Sequence, residues 1–177
     1  PPTAAADGLP LWAVFPGGVL GEEPAHPDVA DLAVRALDLL AAAAERRGSG
    51  LFLVVEEEGI DTGAHHNDLE RMTAAALRLD RAVEAIVGFA AGRSDTLVLV
   101  LSDHSTGGLS IDNTSDATTL RVAWTSGRHA GEPVAIYAWG PAAVARRFSG
   151  FHDNTRIFDL VAEAAGLAAA PAAGGES

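Results

Sequence analysis

The chain has 177 residues and a mass of 18.1 kDa, enough for one domain or a large piece of one, with a core of its own. Twenty-four acids stand against 12 bases, every base is Arg, and the net charge of −12 repels phosphate backbones and argues against nucleic acid as a partner. The chain contains no Cys, which removes disulfides, thiolate metal sites and a Cys nucleophile.

In chain order, residues 1–8 and 168–177 are rich in Ala, Gly and Pro and are expected to be flexible ends. Pro1-Pro2-Thr3-Ala4 lacks the basic start of a signal peptide, and every apolar run is cut by charge too early for a membrane span. Leu11–Phe15 reads as a short strand. Asp28–Arg47 reads as a helix, with Val29, Leu32, Ala33, Leu37 and Leu40 at helical spacing and Gly48-Ser49-Gly50 as its stop. Leu51–Val55 is apolar at every position, the pattern of a strand covered on both faces. Asn67 and Glu70 have the spacing of a capping box. They open a helix of about 35 Å, with Leu69, Met72, Ala76, Leu79, Val83 and Ile86 as its stripe and Gly92 at its end. Thr96–Leu101, Leu120–Thr125 and Val134–Trp139 read as further strands, and Asn154–Leu167 as a closing helix carrying Ile157, Phe158, Val161 and Leu167. Strand, long helix, strand is a βαβ unit. The expected class is therefore α/β, with a largely parallel central sheet and helices on both faces.

Polar residues gather where the apolar strands stop. Glu56, then Asp61 and His65, follow the first buried strand; Ser102-Asp103-His104 follow the second. In a parallel pair both carboxyl ends share one rim, where open α/β sheets bind ligands. Asp61 and His65 fall on one face if a helical turn forms there. Carboxylates and imidazoles brought together ask for a cation. Mixed Asp/His ligation suits zinc, and oxygen ligands near Glu56 suit magnesium. His129, in the loop before the last strand, can add an imidazole. Singly, each residue has a plainer explanation as a turn former or a surface group. Glu56-Glu57-Glu58 is ordinarily a solvated charge run, His66 a surface residue, and His152 a neighbour of the final helix cap. Gly107-Gly108 is a phosphate loop only superficially, because no helix follows.

Val55-Glu56, Ile60-Asp61, His65, Asn67-Asp68, the block Ser102-Asp103-His104-Ser105-Thr106-Gly107-Gly108-Leu109 and His129-Ala130-Gly131-Glu132 together resemble the alkaline phosphatase family, in order and in spacing. The resemblance runs from residue 9 to residue 167 and implies the C-terminal part of that family's α/β domain. It implies a phosphate monoester hydrolase with two zinc ions and one magnesium ion: Asp61, His65 and His129 hold the first zinc, Asp103 and His104 help hold the second, and Glu56 is a magnesium ligand. The family's nucleophilic Ser belongs to an upstream region that no segment here matches, so no residue of this chain is assigned as nucleophile and the chain alone is expected to be inactive. Glu57 stands where the family usually has Gly. The resemblance also implies a homodimer and an extracellular or periplasmic location. The alternatives are a non-catalytic metal-binding or interaction module derived from such an enzyme, and a related phosphodiesterase or phosphomutase.

Overall fold

The computed structural model describes residues 21–22, 26–116 and 118–167. The expected flexible ends and the strand at Leu11–Phe15 lie outside them. The chain divides into two compact units, one drawn from Pro1–Phe89 and Thr106–Ala130, the other from Ala90–Ser105 and Gly131–Ser177.

The first unit is built on helices. α1 spans Val29–Arg47. Asp28 caps it by accepting the N–H groups of Ala30 and Asp31 at 2.9 and 3.0 Å, which satisfies donors that the first turn leaves open. Gly48, at φ 61°, ends it in the left-handed conformation that glycine adopts without cost. α2 spans Gly59–His65 and α3 spans Leu69–Ala90. Asn67 lies between them at φ 54°. It does not serve as the expected cap of α3; Asp68 does, its carboxylate accepting the Arg71 N–H at 3.0 Å. The buried line on α3 is Ala75, Arg78, Ala82 and Ala90, and Ala76 is exposed. The expected stripe is thus rotated toward its small residues, because α3 packs closely: Ala82 joins Val29 and Ala33 in one core cluster, with Val55 and Ile86 against it.

The same unit holds β3 (Ser110–Ile111) and β4 (Val122–Ala123), an antiparallel pair, and β5 (His129–Ala130), which pairs with β2 (Ser105–Thr106). In the second unit β1 (Val98–Leu101) and β6 (Ile136–Trp139) run antiparallel, Val98 opposite Trp139 and Leu101 opposite Ile136. α4 (Ala142–Ala145) leads into a 3₁₀ turn at Arg146–Phe148, and α5 (Asn154–Ala164) follows. Phe148 and Leu160 are buried there, whereas Phe158 and Leu167 of the expected apolar face are exposed. Asp153 caps α5 by accepting the Thr155 N–H at 3.0 Å.

The expected parallel sheet is the principal correction. Among the described residues the strands form three two-stranded pairs, and β1 has β6 as its antiparallel partner. Leu51–Val55 joins no sheet. Its Val55 packs on the core cluster, but Phe52 and Val54 are 71% and 73% exposed. An apolar run records a demand for cover; a strand needs a neighbour for its N–H and C=O groups as well. The described residues supply none to this segment.

Candidate metal centre

α2 is short, and its placement depends on contacts rather than on its own helical propensity. Gly63 sits against the backbone of α3: a Cβ there would stand 2.7 Å from the Met72 nitrogen and 2.8 Å from its Cα. At the start of α2, the Gly59 N–H donates to Glu57 Oε1 at 3.0 Å. Held this way, one turn of helix presents Asp61 and His65 together, with Asp61 Oδ2 3.2 Å from His65 Nε2.

His129 arrives from a distant part of the sequence. Gly107, at φ 80°, organises its approach. The Gly107 N–H donates to the Arg128 carbonyl at 2.9 Å, and the Gly107 carbonyl accepts from Thr125 and Ser126 at 3.0 and 3.1 Å. A Cβ on Gly107 would stand 2.6 Å from the Trp124 ring, so this glycine serves a tight turn and not a phosphate loop. Behind His65, the Gly127 carbonyl lies 2.9 Å from Nδ1. Nδ1–H must be the donor, which leaves the Nε2 lone pair facing the site. That Nε2 lies 3.1 Å from His129 Nε2, and His129 Nε2 lies 3.8 Å from Asp61 Oδ1.

Asp61, His65 and His129 each offer one ligand atom, all within 4.8 Å of one another. Two imidazole nitrogens and a carboxylate oxygen at this range need a proton or a cation among them. For tetrahedral zinc with bonds near 2.05 Å, ligand atoms stand about 3.3 Å apart; His65 Nε2 stands 3.1 Å from His129 Nε2 and 3.2 Å from Asp61 Oδ2, which suits that donor set. The side chains are accessible, with 34% exposure at His65, 30% at Asp61 and 54% at His129, so the open side can admit a further ligand. Thr106 is a member of this cluster that the sequence left out of the site: its hydroxyl donates to Asp61 Oδ1 at 2.6 Å. The only signal for it was its place in the Ser105-Thr106-Gly107-Gly108 block.

The other expected ligands are not members of this triad. Asp103 and His104 belong to the second unit, where His104 Nε2 is 3.2 Å from Asp103 Oδ2 and Asp103 is strongly exposed. Glu56 is exposed at the end of the unpaired apolar segment and is not one of the three clustered ligands. The Glu57 side chain is buried and accepts two hydrogen bonds from Arg78, at 3.0 and 3.1 Å. This contact holds the Arg78 guanidinium above its already high ordinary value. His66 binds the Thr62 carbonyl of its own helix at 2.8 Å, and His152 the Ser149 carbonyl at 3.0 Å, both consistent with structural roles.

A model of the family described as alkaline phosphatase matches residues 15–120 and 110–167. The chain belongs to the alkaline phosphatase family. It is 34% identical over 168 residues to a streptomycin-6-phosphate phosphatase of Streptomyces griseus, a match covering 83% of this chain and 37% of the relative. It is 27% identical over 158 residues to an alkaline phosphatase of Escherichia coli, covering 80% of this chain and 32% of the relative. Among solved structures it resembles the alkaline phosphatase of the Antarctic bacterium TAB5, at 27% identity and a TM-score of 0.66 over 77% of this chain and 41% of the other. A magnesium-bound variant of the TAB5 phosphatase aligns at 25% identity and a TM-score of 0.69, over 79% and 42%. The class is α/β, as that of these neighbours, and the chain spans about a third to two fifths of the length of these relatives.

Proposed function

We propose that residues 9–167 are the C-terminal part of an alkaline-phosphatase-like domain that hydrolyses phosphate monoesters, and that its contribution is metal binding. The observation that carries this reading is the convergence of Asp61, His65 and His129 within 4.8 Å. These three residues hold one zinc; Asp103 and His104 contribute to a second zinc, and Glu56 to magnesium. When bound, such ions supply positive charge for the phosphoryl oxygens and a water or hydroxide made acidic enough to react near neutral pH.

This chain's own side chains set the conditions. Gly127 fixes the His65 tautomer, and Thr106 turns Asp61 so that Oδ2 remains toward His65. The Ser nucleophile comes from a segment preceding Pro1, so residues 1–177 alone bind metal and turn over little substrate. A homodimer and export from the cytoplasm belong to the same proposal, by analogy with the family. Among the described residues no helix is long and apolar enough to cross a membrane.

The relation to the streptomycin-6-phosphate phosphatase and the charge of −12 together favour a cationic ester, such as a phosphorylated aminoglycoside, which an acidic protein attracts over distance. On an upstream-extended chain, streptomycin 6-phosphate should then show a higher kcat/KM than p-nitrophenyl phosphate, with the advantage shrinking as salt is added.

The first test is metal content. After dialysis, the chain should retain about one tightly held zinc. Asp61→Asn, His65→Ala and His129→Ala should each abolish that retention while the helical circular-dichroism signal stays. A zinc-free chain indifferent to these substitutions would refute the reading.

A further inference from the structure

The metal reading leaves one buried charged pair without a role. The Glu57 side chain is 2% exposed and that of Arg78 is 9% exposed. Arg78 Nε donates to Glu57 Oε2 at 3.1 Å, and Nη2 donates to Oε1 at 3.0 Å, the parallel geometry that makes Arg–carboxylate pairs directional. The same Oε1 takes the N–H of Gly59, the first residue of α2. Arg78 stands on α3, the helix whose Met72 also receives Gly63. α2 is therefore fixed to α3 twice, by a side-chain clamp at its first residue and by backbone packing at Gly63. Asp61 lies between the two fixed points and His65 just beyond the second.

We propose that the Glu57–Arg78 pair is a positioning device for the metal centre, setting the start of α2 and with it the approach of Asp61 and His65 to His129. This rests on the metal reading above. The pair has a second consequence: Arg78 neutralises a carboxylate one residue from Glu56 and holds it turned into the protein, which keeps Glu57 out of the ligand set. Gly59 is part of the device, since a Cβ there would stand 2.7 Å from both Arg78 Nη2 and Glu57 Oε1.

The test measures zinc affinity, by competition with a chromophoric chelator, and the visible spectrum of the cobalt-loaded chain, which reports ligand geometry without turnover. Absence of binding by the unmodified chain overturns the metal reading, and this proposal with it. With binding established, Glu57→Met/Arg78→Met removes both charges and the acceptor for Gly59 while keeping bulk in the site. It should retain the helical signal, bind zinc about tenfold more weakly, and alter the cobalt spectrum. If the double variant unfolds, Gly59→Ala carries the test, since its methyl group displaces the pair with both charges kept; the same weakening is expected. Either variant, folded and with the original affinity and spectrum, overturns the proposal.

Discussion

At the scale of single residues, the candidate centre depends on groups that touch the ligands from behind. Thr106 donates to Asp61 at 2.6 Å, leaving that carboxylate one oriented oxygen for His65 and the site. Outer contacts of this kind are worth about 10–100-fold in metal affinity. Thr106→Val should therefore weaken zinc binding by about tenfold with little change in melting temperature, and Thr106→Ser should restore it. Gly107 is the complementary case. At φ 80° with Trp124 against it, Gly107→Ala should lower stability by roughly 1–3 kcal/mol, read from the denaturant midpoint. Asp61 and His65 were legible from the sequence because helical spacing alone places them together. His129 was legible as an imidazole near a strand end. Thr106 and Gly127 were not, because a hydroxyl and a backbone carbonyl carry no distinctive residue pattern until their ligand partners are in place.

At the scale of elements, α3 is joined to three other segments through its arginines. Arg71 reaches Glu22, Arg78 reaches Glu57 and Arg81 reaches Asp28. Arg81 is half exposed, so its ion pair alone contributes little. Asp28 has the larger role, because it also caps α1. The Arg81 hydrogen bond first, then the Asp31 N–H, hold the Asp28 carboxyl below its ordinary value. A depressed folded-state value adds stability that is complete above the unfolded value of about 3.9 and is lost as the pH falls through the lower folded value. Asp28→Ala should thus cost about 1 kcal/mol near neutral pH. That deficit should shrink in acid below about pH 3.9, as followed by denaturant unfolding across pH. The sequence located α1 well, since cap, stripe and terminal glycine all agree there. It misplaced the cap of α3, because Asn67 and Asp68 are both good capping residues and only the chain's path chooses between them.

For the molecule as a whole, the sheet was the part least legible. Strand character at Leu51–Val55 follows from composition, but partnership depends on segments that composition cannot name, and the chain corresponds to about a third to two fifths of the relatives it resembles. The described structure leaves Phe52 and Val54 bare on an unpaired apolar segment, a known hazard for edge-to-edge association. Concentrated samples of residues 1–177 should therefore self-associate, and Phe52→Ser/Val54→Thr should shift the mass measured by light scattering toward the monomer. An unchanged mass would place the association elsewhere.

The centre also links parts of the polymer that are otherwise far apart. His65 and His129 are 64 positions apart in the chain, and Asp61 shares the helical turn of His65. An ion bound there acts as a removable cross-link, closing a long loop in the way a covalent bridge would. Chelation should then release the region around residues 125–130 before α1 and α3 loosen, and a protease added with a chelator should make its first new cuts there.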